Sequence, residues 1–297
     1  MIIPKHLPTA EVQYLDLLRH TMKHGYDIHN DRTGKVCRTV TGAVLYYNVG
    51  GGEFPLVTTR KSYWRKAIRE LCGYFRGFNS AAQFRDLGTD SWDINANETR
   101  AWLDNPHRKG TDDIGVVYGG VAKNWPTHDG YTMDLFKKVY TNLKAGIDDR
   151  GEIVTFWNPG LFELGALRPC MYSHTFTLLG DTLHMTSTQR STDGFLGMNW
   201  NMMQCYVFLA VMAKITGHKP GWVKHDHNNF HIYDNHFEQV NEQLSRDPYD
   251  PPTIVLSDRI TDWDYVVNHM TDKDFEVFGY DHHAPISAAV SYTHLTL

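Results

Sequence analysis

The sequence is short of cysteine, of long apolar runs and of excess charge, and each shortage removes a class of protein. Its 297 residues include no CxxC pair, so neither a disulfide scaffold nor a zinc ribbon is indicated. The longest apolar run, Cys205–Ala213, is far shorter than the roughly 20 residues that cross a bilayer. The net charge of -5 offers no broad basic surface for nucleic acid.

The chain also lacks a signal peptide, an internal repeat and a low-complexity linker. We therefore predict a cytoplasmic protein with reduced thiols and no membrane partner. The loops rich in Gly, Pro or Asp indicate surface connections within one domain, not domain boundaries. We expect a single catalytic domain over residues 1–290. The last seven residues, "SYTHLTL", form a tail that is either native or vector-derived.

Hydrophobic periodicity and turn signals predict a mixture of helices and strands without regular alternation. The segment 198–217 is apolar on nearly every face of a helix, so it should be buried. Gly180-Asp181 predicts a hairpin turn, and Gly77 a helix C-cap. Further helices are predicted at 11–24, 62–77 and 236–248, and strands at 37–49, 152–160 and 230–236. We infer an α+β fold in which a large mixed sheet packs on a buried central helix.

The stretch "LRPCMYSHTF" raises the main chemical question, because Cys170 follows a proline at the start of a predicted strand. A cysteine can be a small buried hydrophobe, half of a disulfide or a nucleophile. A nearby guanidinium favours the thiolate, and Arg168 lies two residues before Cys170. The sequence around Cys37, Cys72 and Cys205 is typical of structural cysteines.

Three other motifs carry chemistry, each beside an ordinary structural alternative. "TQRSTDGFLG" places Arg190 and Ser191 where they could bind phosphate or form a solvated strand end. "NDRTG", with Arg32, is either a polar site or a turn. Glu70 lies among apolar residues of a predicted helix. It is either an ordinary exposed carboxylate or a buried one with a raised pKa that moves protons.

Four histidines occur in "KHDHNNFHIYDNH", namely His225, His227, His231 and His236. They could form a metal site. However, side chains of a strand alternate in direction, so four ligands would not converge easily. The Asn and Asp residues between them serve equally well as hydrogen-bond partners.

Taken in order, the motifs resemble the thymidylate synthase family from about Val12 to Val290. They are "NDRTG", "FPLVTTRK", "REL..YFRG", "SWDINAN", "VYG", "LRPCMYSHTF", "TQRSTDGFLGMNWN", "HIYDNH" and "GYDHHAPISAAV". The RPC cysteine, the QRS stretch and the HIY tripeptide are the strongest matches. The resemblance implies a homodimer formed through the sheet, with dUMP as substrate, 5,10-methylenetetrahydrofolate as co-substrate and no metal.

The resemblance also implies roles for individual residues. The catalytic group it implies is Cys170, Glu70, Tyr118, Asn201 and Asp193. The dUMP-binding group is Arg32, Gln189, Arg190, Ser191, Asn201, His231 and Tyr233, with Arg150 lent by the partner subunit to the phosphate. The folate-binding group is Trp92, Leu167, Asp193, Leu196, Gly197 and Val290, the last within the closing "AAV" tail.

The family chemistry explains these residue types. A thiolate adds to C6 of uracil and activates C5. The enolate at O4 needs donors, and loss of the C5 proton needs a positioned base. The amide of Asn201 offers a donor and an acceptor that match O4 and N3–H of uracil.

The chain departs from the usual family pattern at several positions: Asn95, Val121, Lys123, Gly151, Met171 and Asn229. A looser folate wall would admit water to the reactive intermediate. Deoxyuridylate hydroxymethylase is therefore the alternative to synthase. A metal-dependent enzyme and a catalytically silent nucleotide- or RNA-binding relative are alternatives from other classes.

Overall fold

The structure, a computed structural model, describes residues 3–4, 6–30 and 34–289. Its helices are α1 (Ala10–His24), α2 (Trp64–Arg76), α3 (Ala81–Asp86), α4 (Asp93–Asn97), α5 (Arg100–Leu103), α6 (Gly119–Lys123), α7 (Leu135–Lys144), α8 (Gly197–Thr216), α9 (Phe237–Leu244) and α10 (Trp263–Asn268). Short 3-10 helices occur at Pro159–Leu164, Asp234–His236 and Asp272–Asp274.

The strands are β1 (Tyr26–Asn30), β2 (Lys35–Asn48), β3 (Trp125–Pro126), β4 (Thr132–Met133), β5 (Ile153–Thr155), β6 (Met171–Leu179), β7 (Thr182–Gln189), β8 (Thr192–Asp193), β9 (Lys219–Tyr233), β10 (Thr253–Leu256) and β11 (Phe275–Phe278). The main sheet has the order β1-β2-β9-β7-β6-β5, with β8 paired to β9. The pairs β7–β9 and β8–β9 are parallel and the rest are antiparallel. The predicted α+β class with a large mixed sheet is confirmed.

Helix α8 is the most deeply buried long helix of the described chain, and it connects β8 to β9. Sixteen of its 20 residues are buried. It ends at Gly217, whose left-handed backbone (φ 82°) suits a residue without Cβ. The helix contacts α2, β7 and β9, so residues of its first turns lie between the sheet and α2. In the described part of the chain, no helix combines the length and apolar character needed to cross a membrane.

Local signals placed several boundaries well. The turn between β6 and β7 lies at Gly180-Asp181, as predicted. Helix α2 ends before Gly77, which has a left-handed φ of 68°. The strand predicted at 230–236 is the last part of the much longer strand β9, which ends at Tyr233 and continues into a 3-10 turn. Helix α9 ends at Leu244, ahead of the Pro248 expected to stop it.

Candidate active site

Cys170 lies at the bend that leads into β6 and is half-buried, whereas the three other cysteines are buried. The Nη2 atom of Arg190 lies 3.9 Å from Cys170 Sγ. Their backbones are also joined, since Arg190 N donates to Cys170 O at 2.9 Å. A cationic guanidinium beside the sulfur stabilises the thiolate, which is the reactive form of a cysteine.

Arg190 is held in place by several contacts. Its Nε donates to Pro169 O and its Nη2 to Arg168 O, each at 2.9 Å. Its guanidinium also lies over the Trp157 ring, 5.3 Å from the centroid. The sequence interpretation assigned the activating cation to Arg168, and this needs correction. The guanidinium of Arg168 stacks on Phe162, 5.1 Å from the ring centroid, and Arg190 makes the sulfur contact.

Tyr118 contacts the backbone of the same cysteine, because Cys170 N donates to Tyr118 Oη at 3.0 Å. Its backbone has a positive φ of 40°, which is uncommon for a residue with a side chain. A Cβ at Gly119 would overlap the carbonyl oxygen of Tyr74, so only glycine lets this segment approach α2 so closely. The rings of Tyr118 and Tyr74 stack 4.7 Å apart. Burial raises the pKa of Tyr118.

Glu70 is buried on α2, so of the two alternatives that the sequence left open, the buried carboxylate is the one observed. Its Oε2 accepts hydrogen bonds from Trp200 Nε1 at 2.7 Å and from Gln204 Nε2 at 2.8 Å. Burial raises the pKa of this carboxyl, and hydrogen bonds from Ser91, Gln204 and others oppose that rise in pKa. A carboxylic acid with a raised pKa can exchange protons near neutral pH.

A chain of side-chain amides links β7 to Glu70. Gln189 Nε2 donates to Asn201 Oδ1 at 3.0 Å, and Asn201 Nδ2 donates to Gln204 Oε1 at 3.3 Å. Gln204 Nε2 then donates to Glu70, as described above. We call Gln189, Asn201, Gln204 and Glu70 the amide chain. It connects three predicted site residues on different elements, namely Gln189 on β7, Asn201 on α8 and Glu70 on α2.

The predicted folate-binding residues Asp193, Leu196 and Gly197 span the connection from the end of β8 to the start of α8. Asp193 Oδ1 accepts hydrogen bonds from Phe195 N and Leu196 N at 3.0 and 3.1 Å. Its other oxygen, Oδ2, is buried with no hydrogen-bond partner in the described structure. A buried acceptor without a donor is costly, so this oxygen is suited to a ligand N–H.

Trp92 and Leu167, also predicted to bind folate, differ in burial. Trp92 is buried and packs edge-on against Tyr118, with ring centroids 5.9 Å apart. Leu167 is half-buried and packs against the core. Trp92 therefore packs on the tyrosine whose hydroxyl accepts from Cys170 N.

The predicted sugar-binding and phosphate-binding residues lie on neighbouring strands. Ser191 directly precedes β8, which pairs with the end of β9 so that Asp193 is opposite His231. The rings of His231 and Tyr233 are 5.1 Å apart, and His231 Nδ1 contacts Asn229 Oδ1 at 2.8 Å. These residues thus share one end of the sheet with Arg190.

The histidines considered as metal ligands are engaged in other contacts. His225 Nε2 contacts Gln189 Oε1 at 3.1 Å, and His227 Nδ1 contacts Thr192 Oγ1 at 2.9 Å. Among the described residues, no group of three or more His, Cys, Asp or Glu side chains could hold a metal ion.

Three predicted residues are not placed with this cluster. Arg150 lies on the exposed loop before β5, with a left-handed φ of 68° and its N–H bonded to Asp148 Oδ1 at 2.8 Å. Arg32 and Val290 lie outside the described residues.

Sequence reasoning missed several residues that shape the site, namely Tyr74, Trp157, Trp200 and Gln204. Trp200 directly precedes Asn201 and Gln204 follows it by three residues, and both donate hydrogen bonds to Glu70 Oε2. Their helical spacing to Asn201 was readable in the sequence, but their contact with Glu70 depends on how α2 packs against α8.

Comparisons with known proteins identify the family. The family model for thymidylate synthase matches residues 12–292. The chain is 53% identical over 275 residues to "Thymidylate synthase" of Glaesserella parasuis, which covers 92% of this chain and 97% of that protein. It is 51% identical over 276 residues to the protein of the same name from Marinomonas sp., with 93% and 98% covered. The chain therefore belongs to the thymidylate synthase family.

Proposed function

We propose that the protein is a thymidylate synthase, which transfers and reduces the one-carbon unit of 5,10-methylenetetrahydrofolate onto C5 of dUMP. The products are dTMP and dihydrofolate. The observation that carries the proposal is the half-buried Cys170 sulfur with Arg190 Nη2 at 3.9 Å. Relatives at 51 to 53% identity bear the same enzyme name.

In this mechanism Cys170 is the nucleophile that adds to C6 of the uracil ring. Arg190 stabilises its thiolate, and its unused guanidinium donors bind the phosphate together with Ser191. The hydroxyl of Tyr118, 3.0 Å from Cys170 N, assists removal of the C5 proton. Cys170 leaves C6 once the methyl group has formed, which restores the free thiol.

The amide chain recognises the hydrogen-bonding edge of the pyrimidine. Asn201 donates to O4 and accepts from N3–H, since each of its two polar atoms keeps one bonding position beyond those used by Gln189 and Gln204. Glu70 stabilises the enolate at O4 through ordered water and supplies protons as its raised pKa allows. His231 and Tyr233 bind the deoxyribose hydroxyl.

The residues present fit a bound folate. Asp193 Oδ2, which is buried without a hydrogen-bond partner among the described residues, can accept from an N–H of the folate, and Trp92 offers an aromatic surface next to Tyr118. When bound, folate supplies both the one-carbon unit and the hydride. Leu167, Leu196 and Gly197 complete its binding surface, and the segment ending at Val290 closes over it.

We further propose that the active enzyme is a homodimer formed through the main sheet. The exposed position of Arg150 supports donation of its side chain to the phosphate held by the partner subunit. Arg32 would bind the same phosphate. On this proposal, residues 1–290 act as one cytoplasmic catalytic domain packed around α8, with no bound metal.

The decisive experiment incubates the purified protein with dUMP and 5,10-methylenetetrahydrofolate. Synthase activity gives dTMP and an increase in near-ultraviolet absorbance from dihydrofolate. The hydroxymethylase alternative gives 5-hydroxymethyl-dUMP and tetrahydrofolate without that increase. Absence of any nucleotide product, with both ligands shown to bind, would refute the proposal.

A further inference from the structure

Two buried residues on strands of the main sheet extend the amide chain. His225, on β9, contacts Gln189 Oε1 through Nε2 at 3.1 Å. On its other side, His225 Nδ1 contacts the hydroxyl of Tyr47, on β2, at 2.8 Å. Both residues are completely buried. The hydrogen bonds therefore run without a break from Tyr47 to Glu70, and Asn201 lies near the middle.

The direction of each hydrogen bond follows from one group that can only accept, the backbone carbonyl of Ser191. A backbone carbonyl can only accept, and Gln189 Nε2 lies 3.1 Å from Ser191 O and 3.0 Å from Asn201 Oδ1. Gln189 Oε1 must then be the acceptor that faces His225. Hence His225 Nε2 carries the proton, and Nδ1 accepts from the Tyr47 hydroxyl.

The surroundings of His225 maintain a neutral ring. Burial lowers the pKa of His225 well below its ordinary value, and the neighbouring His227 and His174 add to this lowering of the pKa. The His227 ring lies 4.1 Å from the His225 ring, centroid to centroid, and Cys205 Sγ lies 4.0 Å from its nitrogens. A neutral imidazole has one donor and one acceptor, so its tautomer decides which way Gln189 can point.

The orientation of Asn201 decides which base it matches. With Nδ2 toward O4 and Oδ1 toward N3–H, the amide pairs with uracil. Rotated by a half turn, the same amide would accept from the amino group of cytosine and donate to its N3. That rotation would bring Asn201 Oδ1 against Gln204 Oε1, and Asn201 Nδ2 against Gln189 Nε2. Both contacts would be repulsive.

We propose that His225 is a positioning residue that secures discrimination between uracil and cytosine nucleotides by holding Gln189, and through it Asn201, in the orientation that matches uracil. Tyr47 supports this role by fixing the tautomer of His225. This inference rests on the proposed function, because it concerns how Asn201 recognises the pyrimidine.

The test measures the ratio of dissociation constants for dCMP and dUMP by calorimetry. His225→Phe keeps a ring of similar size and removes both nitrogens, whereas His225→Gln keeps an N–H at the end of the side chain. Loss of about one net hydrogen bond corresponds to a three- to tenfold change in a dissociation constant. We expect His225→Phe to lower the dCMP/dUMP ratio by that factor and His225→Gln to keep it within about twofold.

A second measurement does not depend on the folding of either variant. Nitrogen-15 NMR of the imidazoles in the wild-type protein should show His225 as the neutral tautomer protonated at Nε2. In Tyr47→Phe, the signals should shift toward a mixture of tautomers. A wild-type ring protonated at Nδ1 would overturn the proposal.

The remaining outcomes are equally distinct. An unchanged ratio of the two dissociation constants in His225→Phe would overturn the proposal. This includes the case in which both nucleotides bind more weakly by the same factor, which indicates loosened packing only. Failure of the proposed function has a different result, because the wild-type protein would then make no dTMP whatever the behaviour of His225.

Discussion

Replacing Glu70 by glutamine should separate proton handling from folding. Both strong donors, Trp200 Nε1 and Gln204 Nε2, bond to the same oxygen, Oε2. An amide oxygen in that position keeps both hydrogen bonds, and nearby hydroxyls can rotate to accept from the new NH₂ group. We therefore expect the free energy of unfolding to change by about 1 kcal/mol or less.

The effect of Glu70→Gln on the rate should be much larger. General acid–base catalysis contributes roughly 10²- to 10⁴-fold, which is about 3 to 5 kcal/mol of activation free energy. We expect kcat for dihydrofolate formation to fall by that factor, while the dissociation constant for dUMP changes by less than about tenfold.

Glu11 provides a matched control, because it is also a buried carboxylate. Its oxygens accept four hydrogen bonds from Thr58 and Thr59 at 2.7 to 2.9 Å. Glu11→Gln must bring an NH₂ group against some of these donors, so it should cost about 2 kcal/mol of stability. The kcat of the folded variant should stay within about threefold of wild type. If Glu70→Gln kept kcat within tenfold, or Glu11→Gln lost as much rate, the role given to Glu70 would be refuted.

Three further predictions concern stability, phosphate binding and pH. Gly119→Ala should lower the melting temperature measured by calorimetry, because the added Cβ would overlap the Tyr74 carbonyl oxygen, and an unchanged value would contradict the close approach. Arg190→Lys should weaken dUMP binding at least tenfold by calorimetry, since lysine lacks the planar fork, and wild-type affinity would count against phosphate binding there. Because burial raises the pKa of Glu70 in the folded state, its contribution to stability is fully present below the ordinary Glu pKa of about 4.3 and is lost as pH rises toward the folded pKa. Urea unfolding across that range should therefore show wild type losing stability relative to Glu70→Gln, and a constant or opposite difference would contradict the burial argument.

The sequence was sufficient for features set by local chemistry. Gly77 and the Gly180-Asp181 turn predicted their boundaries because a left-handed cap and a tight turn depend on few neighbours. The unbroken apolar character of α8 predicted its burial. The resemblance to the family then nominated Cys170 and Arg190, which the structure places in contact.

Features set by packing between distant segments could not be predicted in this way. The activating cation was assigned to Arg168 because it is near in sequence, but Arg190 reaches the sulfur across the pair β6–β7. The burial of Glu70 depends on the packing of α2 against α8, which no periodicity in α2 specifies. His225 was considered as a metal ligand because only its residue type was visible, whereas its contacts with Tyr47 and Gln189 come from three strands.

The most direct test of the account is covalent trapping at Cys170. The protein is incubated with 5-fluoro-dUMP and 5,10-methylenetetrahydrofolate and then digested for peptide mass spectrometry. We expect a stable adduct carrying both nucleotide and folate on the peptide that contains Cys170, and none in Cys170→Ala. A wild-type protein that makes dTMP but forms no such adduct, or forms it at another residue, would contradict the account.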